Sequence, residues 1–157
     1  MTSVFLVDDH EIVRRGVAEL ISREPDLDVV GEVGGALGAL EAITAAKPDV
    51  AVIDVRLGDG SGITVCRDVR SHLPATACLI LTSFDDDQAL VDAAMAGAAG
   101  YVLKQIRGNE LVSSIRQVAL GHMLLDKPTV RAGLDRLKAQ EAPAIETLTA
   151  QEQRIFE

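Results

Sequence analysis

Five short apolar runs constrain the fold of this chain more than any other feature: VFLVD ending at Asp8, LDVVGEV from Leu27, VAVIDV from Val50, ACLILTS from Ala77 and GYVLK from Gly100. Val, Ile and Leu fill both odd and even positions of these runs, as in strands buried on two faces of a parallel sheet. Between them lie stretches with helical spacing, such as Ile12, Val13, Val17, Leu20 and Ile21, then Leu37, Leu40 and Ile43. A fifth helix is expected from about Asn109 to Leu120, with Leu111, Val112, Ile115 and Val118 on one side. Pro48, Gly60, Gly62 and Pro74 punctuate the alternation. Strand–helix pairs repeated five times imply an α/β, doubly wound (βα)5 sandwich with five parallel strands.

The alternation stops after Gly121. Residues 1–121 therefore read as one domain, 122–146 as a helical linker whose charged helix ends in a Pro-containing stretch, and 147–157 as the start of something else. In that last stretch Thr149 and Glu152 have capping-box spacing, so a helix should begin near Ala150. A total of 157 residues, 48% of them apolar, suffices for one well-cored domain and an appendage.

A formal charge of −9 disfavours contact with a nucleic-acid backbone, so DNA binding by the residues present is not expected. No apolar run approaches the length of a membrane span, and the start MTSVFLVDD lacks the regions of a secretory signal; a cytoplasmic protein is expected. Cys66 and Cys78 lie in apolar surroundings and read as buried, reduced thiols.

In an open parallel sheet, ligands bind at the carboxyl ends of the strands. Asp8 and Asp9 end the first strand, Asp54 the third, Thr82 and Ser83 the fourth, and Lys104 the fifth. Each has a plain alternative: Asp54 alone would be a turn former or cap, the acid pair a helix cap, Lys104 a surface residue. Their occurrence at the ends of different strands in one register outweighs those readings. Three converging carboxylates repel one another and call for a cation, and hard oxygen donors with room for water suit Mg2+. Lys104 adds a positive charge for a phosphoryl oxygen and Thr82 a hydroxyl donor. The set describes phosphoryl transfer, with Asp54 as the candidate nucleophile. His10, His72 and His122 are too scattered to make a metal cluster and are expected at helix starts or on the surface, and the run Asp85, Asp86, Asp87 is expected to cap the fourth helix.

The segments VFLVDDHEIVRRG, PDVAVIDVRLGDGSG, LILTS and AGAAGYVLK resemble the response-regulator receiver family, in its NarL/FixJ branch, over about residues 3–121. Within that branch the start of the chain and the LLD segment near Asp126 are most similar to the DevR/DosR dormancy regulators of actinobacteria. The resemblance implies a flavodoxin-like fold and a two-component response regulator that takes a phosphoryl group from a sensor histidine kinase on Asp54. It further implies Mg2+ held by Asp8, Asp9, Asp54 and the backbone carbonyl of Arg56, and phosphoryl contacts from Thr82 and Lys104. Thr82 and Tyr101 match the family's switch pair, and Arg56 and Phe84 the positions that set the lifetime of the phosphorylated state. The tail LTAQEQRIFE resembles the opening of a LuxR-type helix-turn-helix domain, through which DNA would be bound.

The protein is expected to be a switch with only intrinsic autophosphorylation and autodephosphorylation rather than an enzyme, and to form a homodimer through the apolar stripe of the fifth helix and residues 126–138. Gly58 departs from the family, which commonly has Pro there, and loosens the loop. Two other classes use similar residues. A Mg2+-dependent aspartyl phosphohydrolase of the haloacid-dehalogenase type carries DxDx[TV] after its first strand, where this chain has DDHEI. A receiver-only interaction protein would share the whole site and lack the output domain.

Overall fold

The computed structural model describes residues 1–82, 87–103, 108–125 and 128–139, without the side chains of Gly108 and Asn109. In chain order the elements are β1 (Thr2–Val7), α1 (Glu11–Ser22), β2 (Leu27–Val33), α2 (Ala39–Ala46), β3 (Val50–Asp54), β4 (Arg56–Leu57), β5 (Gly60–Ser61), α3 (Gly62–His72), β6 (Ala77–Thr82), α4 (Asp87–Met95), β7 (Gly100–Leu103) and α5 (Gly108–Ala119). A further helix, α6, runs over 128–139.

The five long strands form one parallel sheet in the order β2-β1-β3-β6-β7, and β4 and β5 make a small antiparallel hairpin just after β3. Alternate residues of the central strands feed two cores. Phe5, Val7, Ala51, Ile53, Cys78 and Ile80 point to the face covered by α2, α3 and α4. Val4, Leu6, Val50, Val52, Leu79 and Leu81 point to the face covered by α1 and α5. All five β3 residues are buried, which explains why that run is apolar at both parities. The edge strand β2 is buried only at Leu27 and otherwise alternates between exposed and half-buried positions.

Several expectations change. Ile12 is 87% exposed and Leu37 91% exposed, although both had the spacing of core residues. The first turn of α1 starts right after Asp9, beyond the apolar layer of the sheet, and Leu37 precedes α2 in a loop. The linker is not one helix from His122. Leu124 and Leu125 both donate their amides to the Ala99 carbonyl, at 2.7 and 3.1 Å, and Leu125 is buried in the core before α6 begins at 128.

The apolar stripe of α5 is also not a dimer surface. Leu111, Val112, Ile115 and Val118 are at most 5% exposed, packed under the sheet. Nor is α6 separate from the receiver, for it lies on α4. Its Gly133 backbone comes so close to Leu90 that an added Cβ would sit 3.0 Å from Leu90 Cδ2, and Arg136 pairs with Asp87 at 2.8 Å. Cys66 and Cys78 are free and buried, and the hydrogen bond to Cys66, aided by burial, pushes the Cys78 thiol up. Asp87 opens α4, while Asp85, Asp86 and the expected domain start at 147–157 lie outside the described residues.

Candidate functional site

Strand register brings the acids together. Val7 pairs with Ile53, so the next residues, Asp8 and Asp54, leave the sheet side by side; Asp54 pairs with Leu81, which puts Thr82 one step beyond on the neighbouring strand. Ligand atoms of Asp8, Asp9, His10 and Asp54 all lie within 4.8 Å of one another. Asp8 and Asp54 are only 4% and 5% exposed and Thr82 is 4% exposed, whereas Asp9 and His10 face solvent. Buried carboxylates held this close strongly favour a counter-charge, and a donor set dominated by carboxylate oxygens fits a hard dication such as Mg2+.

Local structure fixes each acid. The Asp8 carboxylate accepts from the His10 amide at 2.9 Å, which turns the chain from β1 into α1. Arg14, on the second turn of α1, donates from Nη1 to the Asp8 carbonyl at 2.6 Å and from Nε to Glu32 at 3.2 Å, tying the end of β1 to β2. After Asp54 the chain makes the β4–β5 hairpin and returns with the Gly62 amide on the Val55 carbonyl at 2.7 Å. Gly62 begins α3 against the Asp54 carbonyl, which an added Cβ would strike. Only glycine lets that backbone pass. Ser61 caps α3 by accepting from the Ile63 amide at 3.2 Å.

Of the residues expected here, Asp8, Asp9, Asp54 and Thr82 are brought to one edge. Arg56 follows on β4 with its side chain exposed. Tyr101 is half-buried on β7 and packs against the core on the α4 side. Lys104 and Phe84 lie outside the described residues. Two contributors escaped the reading from sequence. His10 starts α1 as expected, but its Nδ1 also lies 3.2 Å from Asp9 and 3.6 Å from Asp8. Arg14 gave no signal beyond its place one turn into a helix that follows two acids.

Among the described residues no helix is long and apolar enough to cross a membrane. The family model for the response regulator receiver domain matches residues 4–116. Among curated proteins, the DNA-binding transcriptional activator DevR/DosR of Mycobacterium tuberculosis is 48% identical over 99% of this chain and 73% of its own length. Among solved structures, a LuxR-family two-component response regulator from Aurantimonas sp. SI85-9A1 superposes with a TM-score of 0.78 at 32% identity, covering 88% of this chain and 99% of that one. The signal receiver domain of the putative response regulator NarL from Mycobacterium tuberculosis gives a TM-score of 0.74 at 35% identity, covering 77% and 98%. A sheet order of β2-β1-β3-β6-β7, an acid cluster at its carboxyl edge and these likenesses have one explanation: the chain belongs to the response regulator receiver family and is the receiver of a two-component regulator.

Proposed function

We propose that this receiver accepts a phosphoryl group from a sensor histidine kinase on Asp54 and thereby controls a LuxR-type DNA-binding output domain. The observation that carries the reading is the buried Asp54 carboxylate, with ligand atoms of Asp8, Asp9 and His10 within 4.8 Å and Thr82 ending the adjacent strand. One Asp54 carboxylate oxygen attacks phosphorus in line; the new O–P bond forms as the P–N bond to the kinase imidazole breaks, and that nitrogen leaves with its electron pair. Asp8 and Asp9, with Asp54 and the carbonyl of Arg56, would hold Mg2+, which when bound neutralises charge on the transferring oxygens. Thr82 donates its hydroxyl to a phosphoryl oxygen and Lys104 pairs with another, and Tyr101 follows Thr82 as the second half of the switch.

Acetyl phosphate with Mg2+ should add one phosphoryl mass to the protein, and Asp54→Asn should abolish the addition. Labelling of that variant at the parental level would overturn the assignment of the acceptor. Asp9→Ala and Lys104→Ala should slow labelling without unfolding the protein.

With the α5 stripe buried in the core, we assign self-association to α4 and α6, where Met95 is 80% and Leu134 40% exposed. The homodimer is expected to pair these helices about a two-fold axis, bringing two output domains to a palindromic site. Sedimentation should give a dimeric mass after phosphorylation; a monomer in both states refutes the pairing.

A further inference from the structure

Gly58 stands where the family commonly has proline, yet the hairpin that carries it is held from outside. Its neighbour Asp59 reaches across to the loop between β2 and α2 and accepts two backbone amides, Ala36 N to Oδ1 at 2.7 Å and Leu37 N to Oδ2 at 2.9 Å. These two amides hold the Asp59 carboxyl below the ordinary carboxylate range. The approach is close on the side of the loop. A Cβ on Gly35 would lie 2.8 Å from Asp59 Oδ1, and one on Gly60 would lie 3.1 Å from the Ala36 Cβ. At the other end of the same turn, a Cβ on Gly58 would lie 3.4 Å from Asp9 Oδ2. One short hairpin thus passes close to the acid cluster at one turn residue and is anchored 22 and 23 residues away in sequence by the next.

We propose that Asp59 is a positioning residue for the cation site: its double hydrogen bond to residues 36 and 37 sets the place of Gly58 near Asp9 and, through the hairpin, of Arg56 on β4, doing by a brace what proline does by ring closure. This rests on the phosphoacceptor reading above. Exposed polar contacts are individually weak, but a carboxylate that accepts two amides from one loop fixes direction as well as distance, and residues that orient metal ligands commonly change affinity by about 10- to 100-fold.

The test is a calorimetric titration of the unphosphorylated full chain with Mg2+ alone, alongside the Mg2+ dependence of acetyl phosphate labelling. Asp59→Ala should weaken Mg2+ binding about tenfold and raise the half-saturating Mg2+ for labelling, while the rate at saturating Mg2+ stays within about twofold of the parent. Asp59→Asn keeps one accepting oxygen and should fall between the two. Gly35→Ala crowds the carboxylate and should behave like Asp59→Ala. A lowered melting temperature with parental Mg2+ affinity in both Asp59 variants would make the residue structural only and overturn the proposal. Failure of the parent itself to label would instead overturn the phosphoacceptor reading, leaving the direct Mg2+ titration to judge Asp59.

Discussion

Asp54 and Arg56 are two residues apart and meet solvent in opposite ways: the carboxylate is 5% exposed at the end of a wholly buried strand, and the guanidinium starts an exposed hairpin. Water that would hydrolyse a phosphoryl group on Asp54 must come from solvent, and Arg56 is the exposed residue two positions on. An arginine there would pair with phosphoryl oxygens and stabilise the ground state, and unlike a carboxylate or amide it would not orient an attacking water. Arg56→Asn is therefore expected to speed the loss of label from the phosphorylated protein several-fold, as positioned water outweighs a lost charge. Decay at the parental rate would remove Arg56 from control of lifetime. Which residues meet at this edge was legible where the chain places them at strand ends, because parallel register carries Asp8, Asp54 and Thr82 there without further help. Arg14 and Asp59 were not legible. Each works through a contact distant in sequence, Arg14 with Glu32 on β2 and Asp59 with Ala36 and Leu37 in the loop that follows, and no local spacing encodes such a meeting.

Helix α5 shows how far periodicity carries an argument at the level of elements. The spacing of Leu111, Val112, Ile115 and Val118 located the helix, whose observed span is Gly108–Ala119, but spacing alone does not say what the apolar side meets. It packs on β3, β6 and β7, in the core that holds Val50, Val52, Leu79, Leu81 and Val102, and Ile115 has no exposed surface. Ile115→Ala should therefore cost about 2–5 kcal/mol of folding stability, the range for truncating a buried large aliphatic side chain, and leave the association constant of the folded protein unchanged. Urea melts and sedimentation on the same samples separate the two effects. A variant of parental stability that no longer dimerises would restore the stripe as an interface. The same helix is tied at its outer edge by Arg116, which donates to both Asp26 oxygens at 2.9 Å and to Glu24 at 2.6 Å, 90 and 92 residues away in sequence. At α1 the apolar spacing includes Ile12, yet that residue sits in the first turn of the helix, past the last apolar layer, and is exposed. After α5 the run of charges suggested continuous helix, but the paired amides of Leu124 and Leu125 on Ala99 stop it and send α6 back over α4.

For the whole molecule, acid stability brings two charge effects into opposition. The chain carries 24 acidic and 15 basic side chains, so the folded protein repels itself at neutral pH, and partial protonation of exposed carboxylates relieves this. Against that stand three carboxyls held below their ordinary value of 3.8: Asp26 by Arg116, Asp59 by the Ala36 and Leu37 amides, and Asp87 by Arg136. A depressed carboxyl binds fewer protons folded than unfolded, so its stabilisation is fully present above the unfolded value and is lost as pH falls through the lower folded one. The urea midpoint should accordingly stay level or rise slightly from neutrality to about pH 5 and drop below about pH 4. Added salt distinguishes the sources. It screens both the general repulsion and the exposed ion pairs Asp87–Arg136 and Asp26–Arg116, but acts less on Asp59, whose partners are uncharged amides. In high salt the acid limb should thus become shallower without vanishing, and Asp59→Ala should remove part of what remains. A midpoint that keeps rising below pH 4 in the parent would mean that self-repulsion, rather than these three contacts, governs how the protein responds to acid.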